Sequence, residues 1–180
     1  PTGTFSQTGV QFQAVHTEAN GSVIVLPSPS ATKKVAKGGA VGVALQVECN
    51  NCQQTAFRLA ARDNGTGSWL QVPTTETAAN LYMWGSSSAQ YLNTGTVSTR
   101  VVENGCTVVD GSTLVTAAQI PSLTLPASGC TVLRYLLRVR AGASGYTEVR
   151  VEREGGVEFT GSYSLGRIDF INAQAGGIGF

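Results

Sequence analysis

The chain has 180 residues, enough for one domain with a substantial core, and its 42% hydrophobic content excludes a disordered chain. Charged residues make up only 13%, about half the usual share, and the formal net charge is +1. This balance excludes a nucleic-acid binder, which needs a basic stripe to displace counterions; the one basic cluster, Lys33, Lys34 and Lys37, reads as a solvated loop.

The sequence opens on Pro1 rather than Met, from which a mature chain with its leader removed is expected. Pro1–Gly9 is small and polar around a lone Phe5 and has the character of an arm. Val10–Val15 is the first alternating stretch, with Val10, Phe12 and Ala14 on one face. Ser22–Leu26 follows the turn signal Asn20-Gly21, and Pro27–Ala40 is expected as a loop. Val41–Glu48 and Thr55–Arg62 are strand-like runs on either side of Cys49-Asn50-Asn51-Cys52, a tight hairpin turn. Beyond Asn64-Gly65 come Trp69–Val72, a loop at Thr74–Asn80, and Leu81–Trp84. Val97–Val102 and Leu114–Ala118 flank Asn104-Gly105 and Asp110-Gly111, dipeptides that supply the positive φ of tight turns. Thr131–Ala141, Tyr146–Arg153, Val157–Leu165 and Arg167–Ile171 complete the series, before a second, glycine-rich arm at Ala173–Phe180. No run sustains a helical period, and none approaches the ~20 apolar residues of a membrane span. The expected fold class is therefore all-β: an antiparallel β-sandwich of jelly-roll or Ig-like type, with residues 1–15 as a terminal strand arm and residues 16–180 as a single domain.

The strongest local pattern spans Thr131–Arg153. Leu133, Tyr135, Leu137 and Val139 share one face and Arg134, Arg138 and Arg140 the other; Thr147, Val149 and Val151 alternate with Glu148, Arg150 and Glu152. The two runs are expected to form a half-buried hairpin, whose apolar faces coincide only when the loop has an odd number of residues. A loop at Gly142–Ser144 sets Arg138 opposite Glu148 and Arg134 opposite Glu152; a longer one sets Arg140 opposite Glu148 and Arg134 opposite Glu154. Either way a cross-strand charge ladder is expected.

Four cysteines allow three pairings. The hairpin joins Cys49 to Cys52, which leaves Cys106 to pair with Cys130 and close a loop worth about 3 kcal/mol. A zinc site wants two close ligand pairs, and here the second is split. A thioredoxin-like CxxC begins a helix in a βαβ unit, and none surrounds Cys49. Structural disulfides imply an oxidising, extracellular compartment.

Nothing in the chain assembles into an active site. The single histidine, His16, has only Glu18 as a nearby acid; no carboxylate pair stands out; phosphate-binding and calcium loops are absent. No enzymatic activity and no cofactor or metal are expected. Asn20-Gly21-Ser22 and Asn64-Gly65-Thr66 are glycosylation sequons, making Asn20 and Asn64 candidates for covalent glycans. Trp69, Tyr82, Trp84 and Tyr91 could form a sugar-stacking platform, although Trp69 and Trp84 are expected in the core of the sandwich.

In size, β-content, Ser/Thr/Gly richness, scarcity of charge and a detached alternating terminal segment, the whole chain resembles the β-sandwich subunits of extracellular donor-strand-exchange filaments: chaperone–usher pilins and archaeal thread and bundling-pilus proteins. The four cysteines depart from the single disulfide usual in chaperone–usher pilins. The resemblance implies a pilin-type sandwich on the cell surface that polymerises with copies of itself by β-strand addition. Its donor would be the N-terminal segment, with Phe5 as an outlying anchor and Val10, Phe12 and Ala14 as plugs; Ile178 and Phe180 are the alternative. The competing readings are pairing of Val10–Val15 within its own sheet and, for function, a secreted carbohydrate-binding module.

Overall fold

The computed structural model describes residues 4–17, 23–30, 32–50, 55–84, 89–91, 107–108, 114–115 and 129–172. Their alternating apolar residues form β-strands, with no helix among the described residues: β1 Thr4–Thr17, β2 Val23–Ser30, β3 Thr32–Ala36, β4 Ala40–Asn50, β5 Phe57–Asp63, β6 Leu70–Gln71, β7 Leu81–Met83, β8 Ala89–Tyr91, β9 Thr107–Val108, β10 Leu114–Val115, β11 Gly129–Val139, β12 Tyr146–Arg153 and β13 Gly166–Ile171. The larger sheet runs β10-β11-β4-β1-β2-β8, with β7 and β9 also on β11; the smaller runs β3-β13-β12-β5-β6. The long pairings are antiparallel, whereas β3, β8, β9 and β10 join in parallel.

The sheets pack face to face as a β-sandwich. On β4 the period-two rule turns Val41, Val43, Leu45, Val47 and Cys49 inward. On β11, Leu133, Tyr135, Leu137 and Val139 face the same way, and the smaller sheet answers with Phe57, Leu59, Val149, Val151 and Ile168. Each fully buried large side chain contributes about 1.5–3 kcal/mol.

The expected β11–β12 hairpin is not formed. β11 lies beside β4 in the larger sheet and β12 between β5 and β13 in the smaller, so the chain changes sheets at residues 140–145. The face assignments stand, because a corner between sheets brings two apolar faces onto one core just as a hairpin does. The ladder partners are corrected: Glu148 lies opposite Arg62 and Glu152 opposite Arg58, each with an N···O distance of 2.9 Å. Arg138 instead lies over the Trp84 ring, and Arg140 Nε donates to Ala79 O.

Three further expectations change. Val41–Glu48 and Thr55–Arg62 do not form a hairpin, because β4 lies in the larger sheet and β5 in the smaller. Within the expected loop Pro27–Ala40, β2 extends to Ser30 and β3 forms an edge strand on β13. Lysines at Lys33 and Lys34 suit an edge that must not recruit another sheet. Val157–Leu165, expected as a strand, forms no strand; Val157 closes a tight turn back onto Arg153 through Gly155 and Gly156, both at φ +82°.

The register gives a direct check. A double-mutant cycle of Arg58→Ala with Glu152→Ala, read by denaturant unfolding, is expected to give a coupling of about 1–3 kcal/mol. The cycle of Arg134→Ala with Glu152→Ala is expected to give none.

Candidate functional site

β1 begins with inward side chains at odd positions, Phe5 and Gln7, and continues with them at even positions, Val10 and Phe12. A regular strand cannot change parity. The register against β4 slips between Gln7 and Gly9, leaving Thr8 as the extra residue of a β-bulge. The Gln46 side chain marks the spot by donating to Thr8 Oγ1 at 3.0 Å. Thus Phe5, Val10 and Phe12 all reach the core, at 4%, 5% and 0% exposure.

The segment expected as a detached arm is therefore seated inside its own domain. β4 pairs along one edge of β1, and β2 pairs with Phe12–Thr17 on the other. Over Phe5–Gln7 that second edge is closed by the irregular segment after β12: Gly161 N donates to Phe5 O, Gln7 N to Ser162 O and Ser164 N to Gln7 O, at 2.8–3.0 Å. Ala14 lies opposite Leu26 and His16 opposite Ile24 in backbone register; their side chains are outside the described residues.

At the centre of this slot lies Gln7, fully buried, which sequence reasoning passed over as part of a polar tip. Its Nε2 donates to Ser164 O at 2.6 Å, and its Oε1 accepts from Val151 N at 2.6 Å. The need for it is geometric. β13 pairs with β12 only up to Val149↔Gly166, so the same edge of β12 is open at Val151. The Gln7 carboxamide takes the Val151 N–H, while the Tyr163 hydroxyl donates to Val151 O at 2.9 Å and accepts from Phe159 N at 2.9 Å. An unpaired buried group here would cost about 1–3 kcal/mol. Phe5, Phe57 and Phe159 pack against one another with centroids 5.4–6.1 Å apart, and Tyr163 stacks on Phe159 at 5.3 Å.

Gly166 lets β13 approach β1: an added Cβ would fall 2.7 Å from Val10 Cγ1 and 2.9 Å from Phe12 Cζ. Burial pushes the Tyr163 phenol up to about 12, opposed in part by its bond from Phe159 N and by Arg150.

The outer face of the smaller sheet carries the ladder. Arg150 bonds Glu152 at 2.6 Å, and its guanidinium lies 4.3 Å from the Trp69 centroid and 5.0 Å from that of Tyr163; Arg62 lies 4.8 Å from Trp69. Neither Trp69 nor Trp84 is in the core, contrary to expectation: both are half-buried and each faces arginine. Outward charge rows give a large aromatic ring an alternative to the interior, through cation–π contact. Tyr91 lies in β8, its side chain outside the described residues, and Tyr82 is half-buried in β7.

The remaining candidates are not brought together. Neither Cys49 nor Cys130 is a free thiol, and both are buried. Opposite Cys49 stands Gly129, and opposite Cys130 stands Glu48, so the two cysteines point to opposite faces of the larger sheet. Cys52, Cys106, Asn20, Ile178 and Phe180 lie outside the described residues. Asn64 is exposed, in the left-handed region at φ +56°, its Oδ1 accepting from Tyr146 N and its Nδ2 donating to Ser144 O. A cavity of about 190 Å³ lies at the β6 edge beside Asp63, Leu70, Val72 and Leu81. The Asp63 carboxylate is already engaged by Thr147 Oγ1 and Asn80 N. Among the described residues no cluster of three or more His, Cys, Asp and Glu side chains could hold a metal, and no helix is long and apolar enough to cross a membrane.

No protein-family model matches the chain, and no curated protein or solved structure matches it.

Two outcomes test this description. Gly166→Ala is expected to destabilise the domain by about 1–3 kcal/mol through overpacking against β1. Tyr163 holds its proton more tightly folded than unfolded, so its contribution is complete below pH 10, the ordinary phenol value, and is lost as pH rises through about 12. Thermal unfolding of wild type against Tyr163→Phe is expected to give a difference that shrinks across that window.

Proposed function

We propose that the chain is a structural subunit of an extracellular filament, a pilus or thread, whose copies join by exchanging β1 between neighbours. The observation that carries this reading is that the first strand of the chain is an interior strand of the larger sheet and supplies Phe5, Val10 and Phe12 to the core. A terminal strand that fills an interior slot makes the same hydrogen bonds and apolar contacts whether it comes from its own chain or from a neighbour. Donation from head to tail repeats without closing and yields a fibre. In this reading Phe5, Val10, Phe12 and Ala14 are the donor residues and the partner is another copy of the chain, in a pilin-type sandwich.

Disulfides fit such a surface role. Cys49 and Cys130 point to opposite faces, which disfavours a bond between them. The pairing proposed is then Cys106 with Cys130 and Cys49 with Cys52. Asn64, exposed in its turn, is the candidate glycan acceptor among the described residues.

A second reading, a carbohydrate-binding module, draws on the half-buried Trp69 with Arg62 and Arg150 beside it. Sugar-dependent tryptophan fluorescence that disappears in Trp69→Ala is the result expected of it.

Negative-stain electron microscopy with size-exclusion chromatography tests the filament. Uniform fibres are expected from the full chain and none from a chain lacking residues 1–13. A monodisperse monomer of 18.7 kDa under all conditions, or fibres from the truncated chain, would contradict β1 exchange.

A further inference from the structure

We infer that the polar notch formed by Val151 N–H and Ser164 C=O is a recognition site for the Gln7 carboxamide of a second copy of this chain, and that it sets the register and selectivity of strand exchange. The inference rests on the filament reading above and names the group through which one copy recognises another.

Apolar plugs fix which face of the strand is buried, and Phe5 meets Phe57 and Phe159, but these contacts are non-directional and set no hydrogen-bond pairing. The notch is different. It offers one donor, Val151 N–H, and one acceptor, Ser164 C=O, both met at 2.6 Å by the two ends of a single carboxamide. Leucine or methionine satisfies neither. Glutamate brings acceptors to both, so Ser164 C=O is left facing an oxygen. Asparagine is one methylene short of the reach that Gln7 uses.

A two-residue displacement that brings Phe5 to the notch buries both backbone groups without partners. Gln11 cannot substitute, because the bulge at Thr8 has moved the inward face to even positions. On the opposite face the Gln46 to Thr8 Oγ1 bond repeats the check, since it aligns only when the bulge is in place. A foreign strand with the same apolar alternation but no glutamine at this position is therefore disfavoured, so the slot selects its own kind.

The test keeps the chain wild type, so misfolding of a variant does not enter. Full-length protein is refolded from denaturant with excess fluorescent peptide of the sequence Pro1–Thr17, and captured peptide is measured after gel filtration. The same is done with Gln7→Leu and Gln7→Glu peptides. The native peptide is expected to be captured about tenfold or more over either variant, although the leucine peptide is the more apolar. Equal capture of native and leucine peptides, or a preference for leucine, would overturn the inference and leave strand exchange standing. No capture of any peptide would overturn both.

Discussion

A carboxamide buried between two sheets has a donor and an acceptor to satisfy, and Gln7 satisfies both on backbone that would otherwise be stranded. The Val151 N–H lies beyond the first residue of β13, on an edge of β12 that no strand among the described residues covers; the Ser164 C=O belongs to a segment outside the strands. One side chain from the larger sheet therefore completes the hydrogen bonding of the smaller. The same residue's backbone bonds Ser162 and Ser164, so β1, β12 and the segment that follows β12 are tied at one point. Gln7 and Val151 are fully buried, so water does not compete at that point and each of these bonds is costly to break.

This tie gives β1 a double character. Phe5, Val10 and Phe12 bury apolar surface in the core, whereas Gln7 and the Thr8 bulge fix its register through specific hydrogen bonds. In the proposed exchange, the first kind of contact would hold the strand and the second would locate it. The outer face of the smaller sheet is built differently: Arg58 and Arg150 share Glu152, Arg62 pairs with Glu148, and Trp69 lies over Arg62 and Arg150, so most of the charge there is spent within the sheet.

Much of the architecture was legible in alternation. Val41–Glu48 and Tyr146–Arg153 form strands as expected, because a run buried on one face carries its period in plain sight. Alternation reports which face is buried, not which strand is adjacent. That is why Leu133–Val139 and Thr147–Val151 kept their faces while their neighbours changed to β4 and β5. Val157–Leu165 has strand-forming residues but gives its backbone bonds to β1 and the phenol of Tyr163 to β12. Thr32–Ala36 was hidden by lysines that suit an edge. The site was the least legible part. Phe5 marked the anchor, but Gln7 looked like the rest of a polar tip, and only the parity change between Phe5 and Val10 signalled a bulge with a buried residue before it.

The central claim, that the Gln7 key is turned between copies, is tested most directly by solid-state NMR on assemblies grown from an equal mixture of ¹⁵N-labelled and ¹³C-labelled chains. A transfer between Val151 ¹⁵N and the Gln7 side-chain ¹³C carbonyl can then arise only across a subunit boundary. The account requires that signal. Its absence, with the same contact present in assemblies of doubly labelled chains diluted in unlabelled ones, would mean that each copy keeps its own first strand and that exchange of β1 does not build the filament.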